Sequence, residues 1–234
     1  MTAPASVAAA ARRRGGPPLS LVAAVSTVLF LVSIPIGIAL TDHVLPSPFA
    51  GTDSIVRYYE GNRTGVRVIA FLQLGSSLPL AVYAATATAY LRKRQIRVAG
   101  TFIALVGGVL SAGALGMSAV TRWVLGETPT DAVDLVRALH ALSFVTGGPG
   151  SVAPLGLLVA GVAFPGSAFR ILDRPTVVAG VVLAALAEVS MVSMLWDGAA
   201  FLLPIARFGS MAWLIWAGVA VDRWAGRPLS QPNG

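Results

Sequence analysis

The chain has 234 residues, 56% of them hydrophobic and only 12% charged, and its formal net charge is +7. The hydrophobic residues occur in long runs instead of alternating with polar ones, which excludes both a soluble globular domain and a transmembrane β-barrel. There is no cysteine, so a disulfide framework, a thiolate metal site and a thiol nucleophile are excluded as well. In a membrane chain the positive charge is first a topology signal, and no nucleic-acid partner is expected.

Six hydrophobic runs are long enough to cross a hydrocarbon layer of ~30 Å as helices. The fold class predicted from them is an all-α polytopic transmembrane bundle. The six predicted spans lie near residues 19–41, 66–91, 97–121, 136–164, 176–197 and 201–221, and together they form one domain over residues 19–222. Residues 1–18 are predicted to be a disordered cytoplasmic tail, and residues 223–234 a second cytoplasmic tail.

The distribution of Lys and Arg predicts the orientation of the bundle. With the N-terminus inside, the cytoplasmic segments hold 11 of the 17 basic residues: three in residues 12–14, four in 92–97, and two each in 170–174 and 223–227. Because cytoplasmic loops are enriched in positive charge, both termini are expected in the cytoplasm. The Arg-rich composition is typical of a high-GC bacterium, so the predicted location is the bacterial plasma membrane.

The longest predicted external connection covers residues 42–65. It carries two prolines and the pair Tyr58 and Tyr59 beside Glu60. Two interpretations stay open for part of this segment. It is either an interfacial amphipathic helix with its tyrosines at headgroup depth, or a lid over an external cavity.

The third predicted span has a small residue at every fourth position. These residues are Gly100, Ala104, Gly108, Ala112 and Gly116. Such a ladder lets a neighbouring helix backbone approach closely, so it predicts tight helix packing.

Two predicted spans also share a weak sequence similarity. The stretch from Arg67 to Leu80, with Gly75-Ser76 and Pro79, resembles the stretch from Arg137 to Leu155, with Gly150-Ser151 and Pro154; Arg207-Phe-Gly-Ser210 is a shorter echo. Parallel repeats of a helical hairpin are one explanation, and the limited alphabet of membrane helices is the other.

Polar and ionisable residues inside the predicted spans are candidate site residues, because charges in a bilayer normally face the bundle interior or water. Most of them fall in the outer half: Arg67, Gln73, Arg137, His140, Ser193, Asp197 and Arg207. Glu188 lies ~17 Å from the inner end of its span, close to the midplane. For the arginines the alternative is snorkelling or pairing at the interface, and for Glu188 it is a protonated carboxyl hydrogen-bonded to a neighbouring helix.

The fourth predicted span is interrupted by Gly147-Gly148-Pro149-Gly150. Pro149 lacks an amide donor and disfavours helical geometry at Gly148, so a kink or a short unwound turn is expected ~15–20 Å below Arg137, level with Glu188. Freed carbonyl groups at this depth must face protein or a cavity. Two interpretations remain: a plain kink, or a break at which Gly147, Gly148 and Gly150 line a ligand site.

Three functions are compatible with these features. The first is a binder or carrier of a small or lipidic ligand in a cup open to the extracytoplasmic side, acting as a homodimer or in a larger membrane complex. The second is an enzyme that acts on an isoprenoid or lipid by acid catalysis, with Glu188, Asp197 or Glu60 as proton donor. The third is an accessory or structural subunit. No metal or other cofactor is expected, since no ligand cluster or nucleotide-binding motif is present.

The small size and sparse carboxylates resemble the integral-membrane terpene cyclases only in general, and no catalytic residue is transferred from them. Three stretches, "RVIAFLQLGSSLPLAVYAAT", "RALHALSFVTGGPGSVAPLGLLVAG" and "LLPIARFGSMAWLIWAG", resemble a family of uncharacterised six-span actinobacterial membrane proteins over about residues 19–222. This resemblance implies the fold and the plasma-membrane location, and it implies no activity.

Overall fold

The computed structural model describes residues 16–41 and 45–226. The predicted tails, apart from residues 16–18 and 223–226, and residues 42–44 of the long connection lie outside this part of the chain. The described residues form helices and connecting segments without a strand. The all-α prediction is therefore confirmed for them.

The described residues contain eight α-helices and two short 3₁₀ helices. In chain order they are α1 Leu19–Thr41, α2 Thr52–Tyr59, α3 Arg63–Lys93, α4 Ala99–Glu127, α5 Val133–Gly147, α6 Pro149–Ala168, α7 Arg174–Val189, the 3₁₀ helices Ser190–Met194 and Asp197–Phe201, and α8 Leu202–Ala225. Six segments are long and apolar enough to cross a membrane, with α5 and α6 forming one of them. The chain is accordingly a multi-pass membrane protein.

The two ends of the bundle are distinguished by their connections. At one end, called the α2 end, α2 packs through Ile55, Tyr58 and Tyr59 against Val66 of α3, and in the same cluster against α4 and α5. Both tyrosines are buried, so they face the bundle and not the headgroup layer.

The opposite end holds the first and last spans together. Asp222 of α8 accepts hydrogen bonds from the amides of Leu19 (2.8 Å) and Ser20 (3.0 Å) and from the Ser20 hydroxyl (2.7 Å). The carboxylate thereby satisfies two amides that the first turn of a helix leaves without partners. Arg94, beyond the end of α3, donates to the carbonyls of Trp224 and Ala225.

The small-residue ladder of α4 packs against two helices. A Cβ built on Gly161 of α6 would stand 2.3 Å from the amide nitrogen of Ala104, and one on Gly108 would stand 2.2 Å from Cβ of Ala84 in α3. Only glycine allows the α4 and α6 backbones this separation at Gly161.

Paired serines mark two of the helix crossings. Ser26 of α1 and Ser76 of α3 each donate to the carbonyl of the other at 2.8 Å, and Ser111 of α4 donates to the carbonyl of Ser151 in α6 at 2.8 Å. Ser76 and Ser151 occupy matching places in the two similar stretches. The third member, Ser210, is buried without a hydrogen-bond partner among the described residues.

Candidate ligand-binding site

A partly enclosed cavity of about 300 Å³ lies in the half of the bundle nearest α2. Its walls come from α1, α3, α4, α5, the 3₁₀ helix Asp197–Phe201 and the start of α8, and Leu45, Pro46 and Pro48 contribute to it from the long connection. Most of the surface is apolar, formed by Phe30, Ile34, Leu45, Pro46, Pro48, Leu115, Phe144, Ala200, Leu203, Pro204 and Phe208. The remaining lining consists of polar side chains and the backbone at the helix break.

Arg122 is the polar centre on the α4 side of the cavity. Its Nη1 donates to Oε1 of Gln73 at 3.0 Å, and its Nη2 is 3.5 Å from Oγ of Ser143. Gln73 in turn donates to Ser33 at 3.3 Å. Nε of Arg122 is buried without a partner among the described atoms.

Arg207 of α8 enters the cavity from the other side. Its guanidinium donates to the carbonyl of Gly147 and stands 5.0 Å from the ring centroid of Phe30. This bond occupies a carbonyl that the break leaves unpaired, since α5 ends at Gly147 and α6 begins at Pro149.

The glycines at the break are required by close contacts. A Cβ on Gly148 would lie 2.6 Å from the carbonyl oxygen of Phe144, and one on Gly147 would lie 2.3 Å from Oγ of Ser118. Gly147 and Gly148 border the cavity, whereas Gly150 does not. The break is thus a bend whose free carbonyl is held by an arginine and whose inner side faces a cavity.

His140 connects the cavity to α2. Its Nδ1 is 2.8 Å from the hydroxyl of Tyr59, while Nε2 has no hydrogen-bond partner among the described residues. The residue is only 4% exposed. Burial raises the pKa of Tyr59 although the charge of Arg122 acts in the opposite direction, so this phenol stays protonated at neutral pH.

The electrostatic character of the cavity is positive. Arg122 and Arg207 both line it, and no described carboxylate does. The ion pair between Arg67 and Glu127 lies outside the cavity. Asp42 precedes the lining residue Leu45 by three positions and is outside the described residues.

Five of the predicted site residues meet at this cavity: Gln73, His140, Gly147, Gly148 and Arg207. The others are placed elsewhere. Arg67, Arg137, Asp197 and Glu60 are exposed, and Ser193 is buried without lining the cavity.

Glu188 lies on an exposed side of α7. The buried face of this helix runs through Gly180, Ala184 and Ala187. After Ala184 the next interface residue is therefore Ala187, three positions on, and not Glu188, four positions on. Glu188 points about 100° away from Ala187 around the helix axis. Glu188 therefore does not line the cavity beside the helix break.

Arg122 is the residue that sequence reasoning missed. The predicted span ended at residue 121, which left Arg122 in an external segment, but α4 continues to Glu127. A signal was present: Ser111, Leu115, Ser118 and Arg122 recur at helical spacing and share one face. The first three are buried, so an arginine in phase with them points towards the same neighbours.

Comparisons of this chain with protein-family models, with curated proteins and with solved structures found no match.

Proposed function

We propose that this membrane protein binds a small or lipidic ligand in the cavity at its α2 end. The observation that carries the proposal is the convergence of Gln73, Arg122, His140 and Arg207 on one largely apolar cavity between five helices. Ligand sites in helix bundles have this form, with apolar walls and a few oriented polar groups, and volumes of roughly 300–1,000 Å³. A cavity at the lower end of that range suits a small molecule or one end of a lipid.

The proposal includes an orientation, in which the α2 end faces outside and both termini lie in the cytoplasm of a bacterial cell. Its support is the excess of Lys and Arg in the segments at the opposite end. In that orientation the cavity receives its ligand from the extracytoplasmic side, or laterally from the outer leaflet.

Acid catalysis finds no comparable support. Glu188, Asp197 and Glu60 do not line the cavity. We therefore retain binding as the proposed function.

Cysteine labelling tests the orientation, since the chain has no native cysteine. Asp131 and Arg97 are exposed, in the α4–α5 and α3–α4 connections respectively. We expect Asp131→Cys to react with a membrane-impermeant maleimide on intact spheroplasts, and Arg97→Cys to react only after permeabilisation. The reverse pattern would show that the α2 end faces the cytoplasm.

A second labelling experiment tests whether the cavity admits a ligand. Leu203 lines it, whereas Leu158 is fully buried in the core and does not. In detergent-solubilised protein, Leu203→Cys should react with a small neutral methanethiosulfonate, and the matched Leu158→Cys should not. Equal protection of both cysteines would mean that the cavity is a closed packing void, and the binding proposal would be abandoned.

A further inference from the structure

We infer that the ligand carries an oxyanion, a phosphate or a carboxylate, which binds between Arg122 and Arg207 while an apolar portion packs against the phenylalanines of the cavity. This inference rests on the proposed function, because it names the chemistry of the molecule that the cavity would hold. Its first support is the balance of charge. Two guanidinium groups face one small cavity, and among the described lining residues no carboxylate opposes them.

Arg122 and Arg207 are both half-buried. Like charges partly removed from water are costly unless a counter-charge offsets the loss of hydration. The described partners of the two arginines are all neutral. Arg122 contacts Gln73 and Ser143, and Arg207 contacts the Gly147 carbonyl and the face of Phe30. Neutral acceptors satisfy individual N–H groups, but they leave the net charge uncompensated. An anion entering the cavity would compensate it.

The second support is the set of polar atoms that remain unbonded. A guanidinium has five N–H donors arranged as a planar fork that matches the oxygens of phosphate and carboxylate. Nε of Arg122 is buried without a partner. Nε2 of His140, a residue that is 4% exposed, makes no hydrogen bond of normal geometry to a described residue, although the backbone of Pro46 and Ser47 lies beside the ring. Arg122 and His140 both line the cavity. Nε2 either donates to an anion or accepts from a protonated one, depending on the tautomer.

The apolar walls indicate that the anion is attached to a hydrophobic group. Phe30, Phe144 and Phe208 supply aromatic surface, and Leu115 and Leu203 supply aliphatic surface. Inorganic phosphate alone would leave this surface in contact with water. About 300 Å³ is too small for a two-chain phospholipid, so the ligand is either a free short-chain amphiphile or a lipid that inserts only its headgroup.

Calorimetry in a neutral detergent separates these chemistries with four probes of similar chain length. They are hexyl phosphate, hexanoate, hexanol and hexyltrimethylammonium. We expect the two anions to bind the wild-type protein more tightly than hexanol, and the cation not to bind. Arg122→Gln and Arg207→Gln should each weaken anion binding about tenfold or more, the loss of a hydrogen bond to a charged group.

Arg137→Gln is the matched control, because Arg137 is an exposed arginine of α5 outside the cavity. It should bind the anions with wild-type affinity. If a glutamine variant does not fold, as judged by gel filtration, the corresponding lysine variant keeps the charge without the fork and should bind with intermediate affinity. The lipid source is tested by native mass spectrometry, where retention of phosphatidylglycerol but not phosphatidylcholine identifies a headgroup.

Three results would overturn the inference. Tight binding of hexanol and hexyltrimethylammonium would show that the cavity binds ligands but has no preference for anions. Absence of anion binding while Leu203→Cys reacts would show that the cavity is accessible but does not bind anions. If Leu203→Cys is unreactive too, the proposed function fails together with the anion inference. Anion binding that appears only in Asp42→Asn would show that Asp42 already neutralises the arginine pair.

Discussion

Replacing Gly161 with alanine is expected to lower the free energy of unfolding by about 1–3 kcal/mol, the usual cost of overpacking. The added Cβ would stand 2.3 Å from the amide nitrogen and 2.6 Å from Cα of Ala104, and 2.7 Å from the carbonyl oxygen of Gly100. All three are backbone atoms, so no side-chain rotation relieves the contact and α4 must separate from α6. The measurement is SDS-induced unfolding in mixed micelles, followed by tryptophan fluorescence.

Gly113→Ala is the control for this prediction. Gly113 lies on α4, the helix that Gly161 of α6 approaches, and a Cβ there would meet nothing within 4 Å. Because alanine favours a helix over glycine by roughly 1 kcal/mol, this variant should be as stable as the wild type or more stable. Equal stability of the Gly161 and Gly113 variants would contradict the close approach of α4 and α6.

Removal of the Asp222 carboxylate is the second change with a large expected effect. Asp222→Ala should lower the free energy of unfolding by about 2–4 kcal/mol, because hydrogen bonds to charged groups contribute ~1.5–3 kcal/mol each and are not additive. Two amides at the start of α1 would lose their acceptor. The same unfolding titration measures the loss, and the first and last spans should become more accessible to protease at this end.

The neighbouring Arg223 provides the control for Asp222. Arg223 is exposed in the last turn of the same helix, and Arg223→Ala should change the free energy of unfolding little. Asp222→Asn retains one acceptor oxygen and should fall between the alanine variant and the wild type. If Asp222→Ala unfolds like Arg223→Ala, the carboxylate does not hold α1 against α8.

These two contacts matter for the proposed site through the helices they position. Gly161 sets the distance between α4, which carries Arg122, and the α5–α6 segment, which carries His140 and the break. Asp222 holds α8, which carries Arg207, against α1. Because a shift of about 1 Å in a supporting element is enough to impair a site, we expect Gly161→Ala also to weaken anion binding.

Hydropathy and composition alone predicted the class of protein and the number of its spans. A backbone in lipid must satisfy its own hydrogen bonds, so a run of about twenty apolar residues has one stable structure, a helix. Gly148-Pro149 predicted an interruption within the fourth span, because proline lacks an amide donor and disfavours helical geometry at the residue before it. Local chemistry decides these features before any helix meets another.

The composition of the candidate site depended on the packing of the helices. Gln73, His140 and Arg207 belong to three spans, and the sequence indicated only that each is costly in lipid. A carboxylate closer to the midplane, Glu188, met that criterion equally well but lies on the exposed side of α7. The depth of a residue in the membrane follows from its position along a helix. Whether its side chain faces the bundle interior depends on which face of that helix a neighbouring helix covers.

Arg122 and Glu188 show this difference most directly. A span that ends at its first charge would leave Arg122 outside, yet α4 continues to Glu127, and the Arg122 guanidinium donates to Gln73 and lies beside Ser143, which belong to two other helices. Residue types and spacing therefore determined that the chain spans a membrane, where its spans lie and where the fourth span is interrupted. The tertiary structure decided which polar groups share a cavity, because a shift of a single residue in the covered stripe rotates a side chain by about 100°.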